Sequence, residues 1–121
     1  MNINRIRDRA AGAVVSVLRR LNRVVQYQHR SEAPVTVYAD WSAESTASGQ
    51  VLHADTVERA RTFFIPRQPG FPPDAGVAPN DLIIVENREY RVLSSDDGGL
   101  GALYQIEAQF VRAWRLGARP W

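Results

Sequence analysis

The chain has no cysteine in its 121 residues, which excludes disulfides, thiolate metal sites and cysteine nucleophiles. It has no lysine either: every basic residue is arginine, a bias that a GC-rich genome suffices to produce. Histidine is scarce, with only His29 and His53. His53-Ala-Asp55 could begin a metal pair, but no further ligand stands at a suitable spacing, and both histidines read as exposed loop residues. Long apolar runs are also missing. The segment Ala10–Leu18 is far shorter than the roughly 20 residues that span a bilayer. Arg5, Arg7 and Arg9 precede it as in a signal peptide, yet Arg19, Arg20 and Arg23 follow where a cleavage site should sit, so no removed signal is expected. There is no G-x-S-x-G and no H-E-x-x-H, and Gly98-Gly99-Leu100-Gly101 lacks the Lys-Ser/Thr ending of a phosphate loop. No helix-turn-helix or zinc-finger pattern offers sequence-specific DNA recognition. The expectation is a protein that is not an enzyme, with no cofactor and no metal.

What is present suffices for one domain. Apolar residues make up 45%, with three Trp, four Tyr and four Phe to fill a core. The net charge of +2 conceals a split. Residues 1–30 carry seven arginines against Asp8 alone, whereas residues 31–121 carry eight arginines against twelve acids. A basic arm on a mildly acidic body follows, and each can face a different partner.

Apolar residues at Ile3, Ile6, Ala10, Ala13, Val14, Val17, Leu18, Leu21, Val24 and Val25 recur at gaps of three and four, predicting an amphipathic helix. Val24 and Val25 are poor helix formers and Pro34 bars continuation, so the helix should end between 22 and 31. This gives two parts: a basic helical arm over 1–30 and a compact β domain over 31–121. Beyond Pro34 the period falls to two. Strands are predicted at Val35–Ala39, around Thr62–Ile65, at Leu82–Val85, at Tyr90–Leu93 and at Leu103–Val111. Tyr90 and Val92 should point inward together with Leu82 and Ile84. Asp96 and Asp97 beside Gly98 and Gly99 favour a turn through side-chain-to-backbone bonds rather than forming a catalytic pair. Two loops, about 41–55 and 66–80, lack any apolar pattern that would order them, and the second holds five of the seven prolines. In the tail, Trp114, Leu116 and Trp121 need a surface, and Arg115 and Arg119 could stack on the tryptophans. The fold class expected is α+β: one N-terminal helix, then a small antiparallel β-barrel of about five strands, closure being the usual answer to exposed strand edges.

The stretch APNDLIIVENREYRVLSS (78–95) with the following Asp96-Asp97-Gly98-Gly99 resembles the hairpin of tailed-bacteriophage head–tail joining and head-closure proteins, the lambda-type joining protein being the nearest comparison. Asp81, Leu82, Ile84, the turn Glu86–Glu89, Tyr90 and Val92 carry the likeness, which covers some 35 residues; the basic helix and proline loop depart from it. The resemblance implies a structural virion protein of the phage neck, assembled in the host bacterial cytoplasm, that connects the DNA-filled head to the tail and closes the exit channel. Copies would form a six- or twelvefold ring, with portal or adaptor protein above and tail-terminator or tail-tube protein below. Double-stranded DNA could pass without sequence-specific contact, and no membrane is involved. Interface or channel residues would be Arg5, Arg9, Arg19, Arg20 and Arg23 of the helix region and Pro66, Arg67, Phe71, Pro72 and Pro73 of the proline loop. The competing class is a small-barrel nucleic-acid-binding module with a basic arm, which would need Tyr38, Trp41 or Tyr104 exposed beside arginine. A membrane-surface helix is disfavoured, because the apolar face has no Trp or Phe.

Overall fold

A computed structural model of the chain describes residues 3–46 and 59–113. His53, most of the 41–55 loop and the Trp114–Trp121 tail lie outside the described residues. Helix α1 (Ile3–Arg20) is followed by β1 (Val24–Gln28), β2 (Val35–Tyr38), β3 (Asp40–Trp41), β4 (Ser45–Thr46), β5 (Arg59–Pro66), β6 (Leu82–Val85), β7 (Arg88–Asp96) and β8 (Leu103–Ala113). All pairings are antiparallel, in the order β2-β1-β6-β7-β8-β5-β3, with β4 beside β5. The class is the expected one, a helix followed by an antiparallel barrel-like sheet, but with more strands than five.

The first extra strand is β1, which corrects the 1–30 helical arm. The helix stops at Arg20 because Asn22 adopts φ 54° and closes the end. Asn22 N–H donates to Arg19 O and Arg23 N–H to Leu18 O, the two bonds of a Schellman cap. Val24 and Val25 continue the three-and-four spacing by accident. Their branched side chains suit a strand better than a helix, and Val25 and Tyr27 are buried in the barrel.

The second departure is a bend at Ala39. One extended segment, residues 35–41, pairs with β1 through its first half and with β5 through its second. Ala39 N–H donates to Arg23 O, and Ser42 N–H to Thr62 O, so the two ends of the sheet meet in a single stretch of chain. The barrel is thereby nearly closed, leaving little free edge.

The predicted hairpin is present, with one correction. Glu86 (φ 53°) and Asn87 (φ 61°) form a two-residue turn with both positions left-handed, the turn type that fits strand twist. Its register sets Val85 opposite Arg88 and Ile83 opposite Tyr90. Opposed residues share a face, so Tyr90 and Val92 point inward as expected but with Ile83 and Val85; Leu82 and Ile84 face outward and are half-buried. In β8, Ile106 and Ala108 are buried, while Gln105 lies exposed on the other face. Phe63 and Phe110 meet Tyr90 edge-on at 5.5 and 5.8 Å, a geometry worth about 0.5–1.5 kcal/mol per pair beyond area burial.

Candidate functional site

The helix lies against the barrel through Ala11 and Leu18, both buried. Val14 and Val15 are half-buried, while Ile6 is 41% exposed, Val17 53% and, just past the helix end, Leu21 63%. Ile6, Ala10, Ala13 and Val17 follow one another at four, three and four residues, so they form one wall along the helix beside the buried face. Arg5, Arg9 and Arg20 are exposed around this wall. Arg19 places its guanidinium 5.5 Å from the Tyr38 ring centre, and Arg23 sits 3.7 Å from that of Trp41 while donating to Asp40 at 2.9 Å. These two arginines are therefore engaged with the barrel's own aromatics.

The proline loop is better ordered than its sequence suggests. Pro66 is buried at the end of β5, and Arg67 N–H donates to Ala102 O. Gln68 uses its side-chain amide as a strand would: Tyr38 N–H donates to Oε1 at 2.8 Å, and Nε2 donates to Tyr38 O at 2.8 Å and to Pro66 O at 3.0 Å. Phe71 is 1% exposed, with edge contacts to Tyr27 at 5.1 Å and Tyr104 at 5.3 Å. Phe71 and Pro66, expected as contact residues, are thus core residues. Gly70 allows the loop to pass: its φ is +86°, and a Cβ there would lie 2.7 Å from Val35 Cγ1. Pro72 and Pro73 stay half-exposed. Between this loop and the helix runs a groove of about 430 Å³ bordered by Asp8, Gly12, Val15 and Arg67.

The loop ends on a buried polar cluster absent from the sequence reading. His29, expected as an exposed loop residue, is 7% exposed, and Asp81 is 1% exposed. Register explains their meeting: Gln28 pairs with Leu82, so the next position outward sets His29 opposite Asp81. Asp81 Oδ2 accepts from Tyr27 O–H at 2.6 Å and from Ala78 N–H at 3.0 Å, and lies 2.9 Å from His29 Nδ1. Ala78 N–H can only donate, so Oδ2 accepts there, and with Asp81 as the carboxylate the Nδ1 bond has its proton on the imidazole. Asp81 Oδ1 is buried without a partner. Burial and the adjacent Asp81 carboxylate push the Tyr27 phenol well above the usual tyrosine range, so it remains a donor.

With Nδ1 turned to Asp81, the other ring nitrogen, Nε2, has no protein partner among the described residues. His29 lines a cavity of about 370 Å³ together with Glu32, Asp74, Pro72 and Pro73. Glu32 is set there by its own N–H, which donates to His29 O at 3.0 Å. The lining presents acceptors and negative charge. An oriented imidazole of this kind can accept a hydrogen bond or bind a cation, but no group of three or more His, Asp or Glu among the described residues could hold a metal.

Elsewhere, Glu44 gathers Tyr90 O–H, Arg88 and Arg59, at 3.1 Å for Arg88 and 3.7 Å for Arg59. Burial and the Glu44 bond push the Tyr90 phenol up to about 12. Arg61 lies over the Tyr90 ring at 5.3 Å, 3.5 Å from Glu86, with Nε and Nη1 buried and short of hydrogen-bond partners. The Asp96–Asp97 turn is as expected: Gly98 N–H donates to Asp96 and Gly99 N–H to Asp97, each at 2.8 Å. Among the described residues, no helix is long and apolar enough to cross a membrane. No protein-family model and no curated protein matches the chain.

Proposed function

We propose that this protein is a structural joining element of a tailed-phage neck, acting by assembly into a ring between the DNA-filled head and the tail. The observation that carries the reading is the helix, which packs on the barrel through Ala11 and Leu18 yet leaves Ile6, Val17 and, just past its end, Leu21 exposed among arginines. Such a wall is what an intersubunit contact covers, because exposed apolar surface of this kind is costly in isolation. The 78–99 segment, on which the joining-protein resemblance rests, places Asp81 at the end of the proline loop and Tyr90 inside the barrel. The role is mechanical: surface buried between neighbours supplies the energy, and the portal side and the tail side would contact opposite ends of the ring.

The nucleic-acid alternative requires free aromatic faces. Tyr38, Trp41 and Tyr104 are each only partly exposed, with Arg19 over Tyr38, Arg23 over Trp41 and Phe71 edge-on to Tyr104, which leaves this reading less stacking surface than the neck reading has exposed helix. The test is genetic. A phage lacking this gene should yield filled heads and separate tails, and supplying the protein should restore joined, infectious particles. Joined particles made in its absence would remove the neck assignment.

A further inference from the structure

We propose that the cavity beside His29 receives an arginine from helix α1 of a second copy, Arg9 or Arg20, so that copies associate head to tail. On the receiving side, His29 is more than nine-tenths buried, its Nδ1 is committed to Asp81, and its Nε2 has no protein partner. Glu32 and Asp74 are exposed at the same cavity without an ion pair among the described residues, and the buried Asp81 adds a second-layer negative charge behind the imidazole. His29 Nε2, Glu32 and Asp74 can each accept, and none of the three is matched by an internal donor among the described residues. A guanidinium, planar and rich in N–H groups, is the chemistry that satisfies them. The half-exposed Pro72 and Pro73 supply apolar walls for an arginine stem.

The donor side is in the same chain. Arg9 and Arg20 are exposed, form no ion pair among the described residues, and point from the face next to the Ile6–Val17 wall. Helix α1 carries five arginines against Asp8, while Glu32 and Asp74 line the cavity and no arginine does, so the two surfaces are opposite in sign. Two different, complementary patches on one chain give a heterologous contact, which closes into a ring when the rotation permits. Pairing helix on helix would instead set arginine against arginine.

The inference rests on the ring reading above, but its readout is self-association rather than infectivity. Sedimentation velocity of the full chain over a range of concentration and salt is the experiment. Wild type should associate, less so at high salt. Replacing Glu32 and Asp74 by Arg should weaken association at least tenfold, as should replacing Arg9 and Arg20 by Glu; all four positions are exposed, and melting curves check that each variant folds. Combining the four changes reverses both charges and should recover part of the association, the contact to His29 Nε2 being lost because a carboxylate cannot donate to it. His29→Phe, which keeps the ring but removes the acceptor, should weaken it in an otherwise wild-type chain. A chain that stays monomeric, an association indifferent to Glu32 and Asp74, or no recovery in the fourfold variant would each overturn the proposal. So would cavity variants that self-associate normally but fail to join portal or tail rings, since the arginine would then come from another protein. Association of the wild-type chain as expected, with undiminished infectivity in the dissociating variants, would instead sink the neck role and leave the contact standing.

Discussion

The helix and the proline loop invite the same reading from sequence and behave differently in the fold. The helix has a strong apolar periodicity, yet the barrel takes only Ala11 and Leu18 fully and leaves a wall uncovered. The loop has no periodicity, yet it is fastened at three points: Gln68 on Tyr38, Phe71 in the core and Ala78 on Asp81. Periodicity thus reports that a face wants cover without saying whose, while a few well-placed anchors order an irregular segment. The fastened loop should be the costlier to disturb, and the helix wall the more consequential for assembly.

The largest effect is expected at Phe71. Phe71→Ala should destabilise by about 3–5 kcal/mol, as for other fully buried rings, and Tyr90→Ala by a similar amount, both read as a drop in thermal midpoint. An unchanged midpoint for Phe71→Ala would mean the loop is not part of the core. Asp81→Ala comes next, leaving Tyr27 O–H, His29 and Ala78 N–H without their acceptor. A loss of about 2–4 kcal/mol is expected, with faster amide exchange across residues 72–78. Gly70→Ala should cost about 1–3 kcal/mol, because φ +86° and the approach to Val35 both resist a side chain.

Alkali should sharpen the contrast between core and surface. Tyr27 and Tyr90 have raised native pKa values, so their contribution is complete below the ordinary tyrosine pKa near 10 and is lost as pH rises through the native value, about 12 for Tyr90. Stability measured by urea titration should fall across that window, and Tyr90→Phe should flatten part of the fall. The smallest stability effect belongs to the helix wall. Ile6→Ser and Val17→Ser should change unfolding free energy by no more than about 0.5 kcal/mol, while reducing assembly. A large stability loss in either would show that the wall is internal after all.

Much of the β half was legible because it alternates: β6, β7 and β8 lie where period two put them, and the Asp96–Asp97 turn forms its expected bonds. The inward set of β6 was misassigned, since opposed residues share a face and Tyr90 lies opposite Ile83. The helix overran because Leu21, Val24 and Val25 keep helical spacing, and the stop resides in the conformation of Asn22 alone. His29 was out of reach for another reason. Its partner is 52 residues away, and only the β1–β6 register, which sequence does not declare, puts the two side by side.

The bent segment 35–41 carries a consequence for how the molecule folds. Its first half pairs with a near neighbour in sequence, Val25 with Val37, whereas its second half must wait for Phe63 and Phe64, and β5 in turn for Gln105 and Ile106. The seam at Ala39 is held by few bonds, Ala39 N–H to Arg23 O and the short β3–β5 pairing, so it is a natural place for the sheet to open. Gln68 bridges that seam from the proline loop, through both backbone groups of Tyr38. Anything that grips the loop from outside therefore also holds the barrel shut.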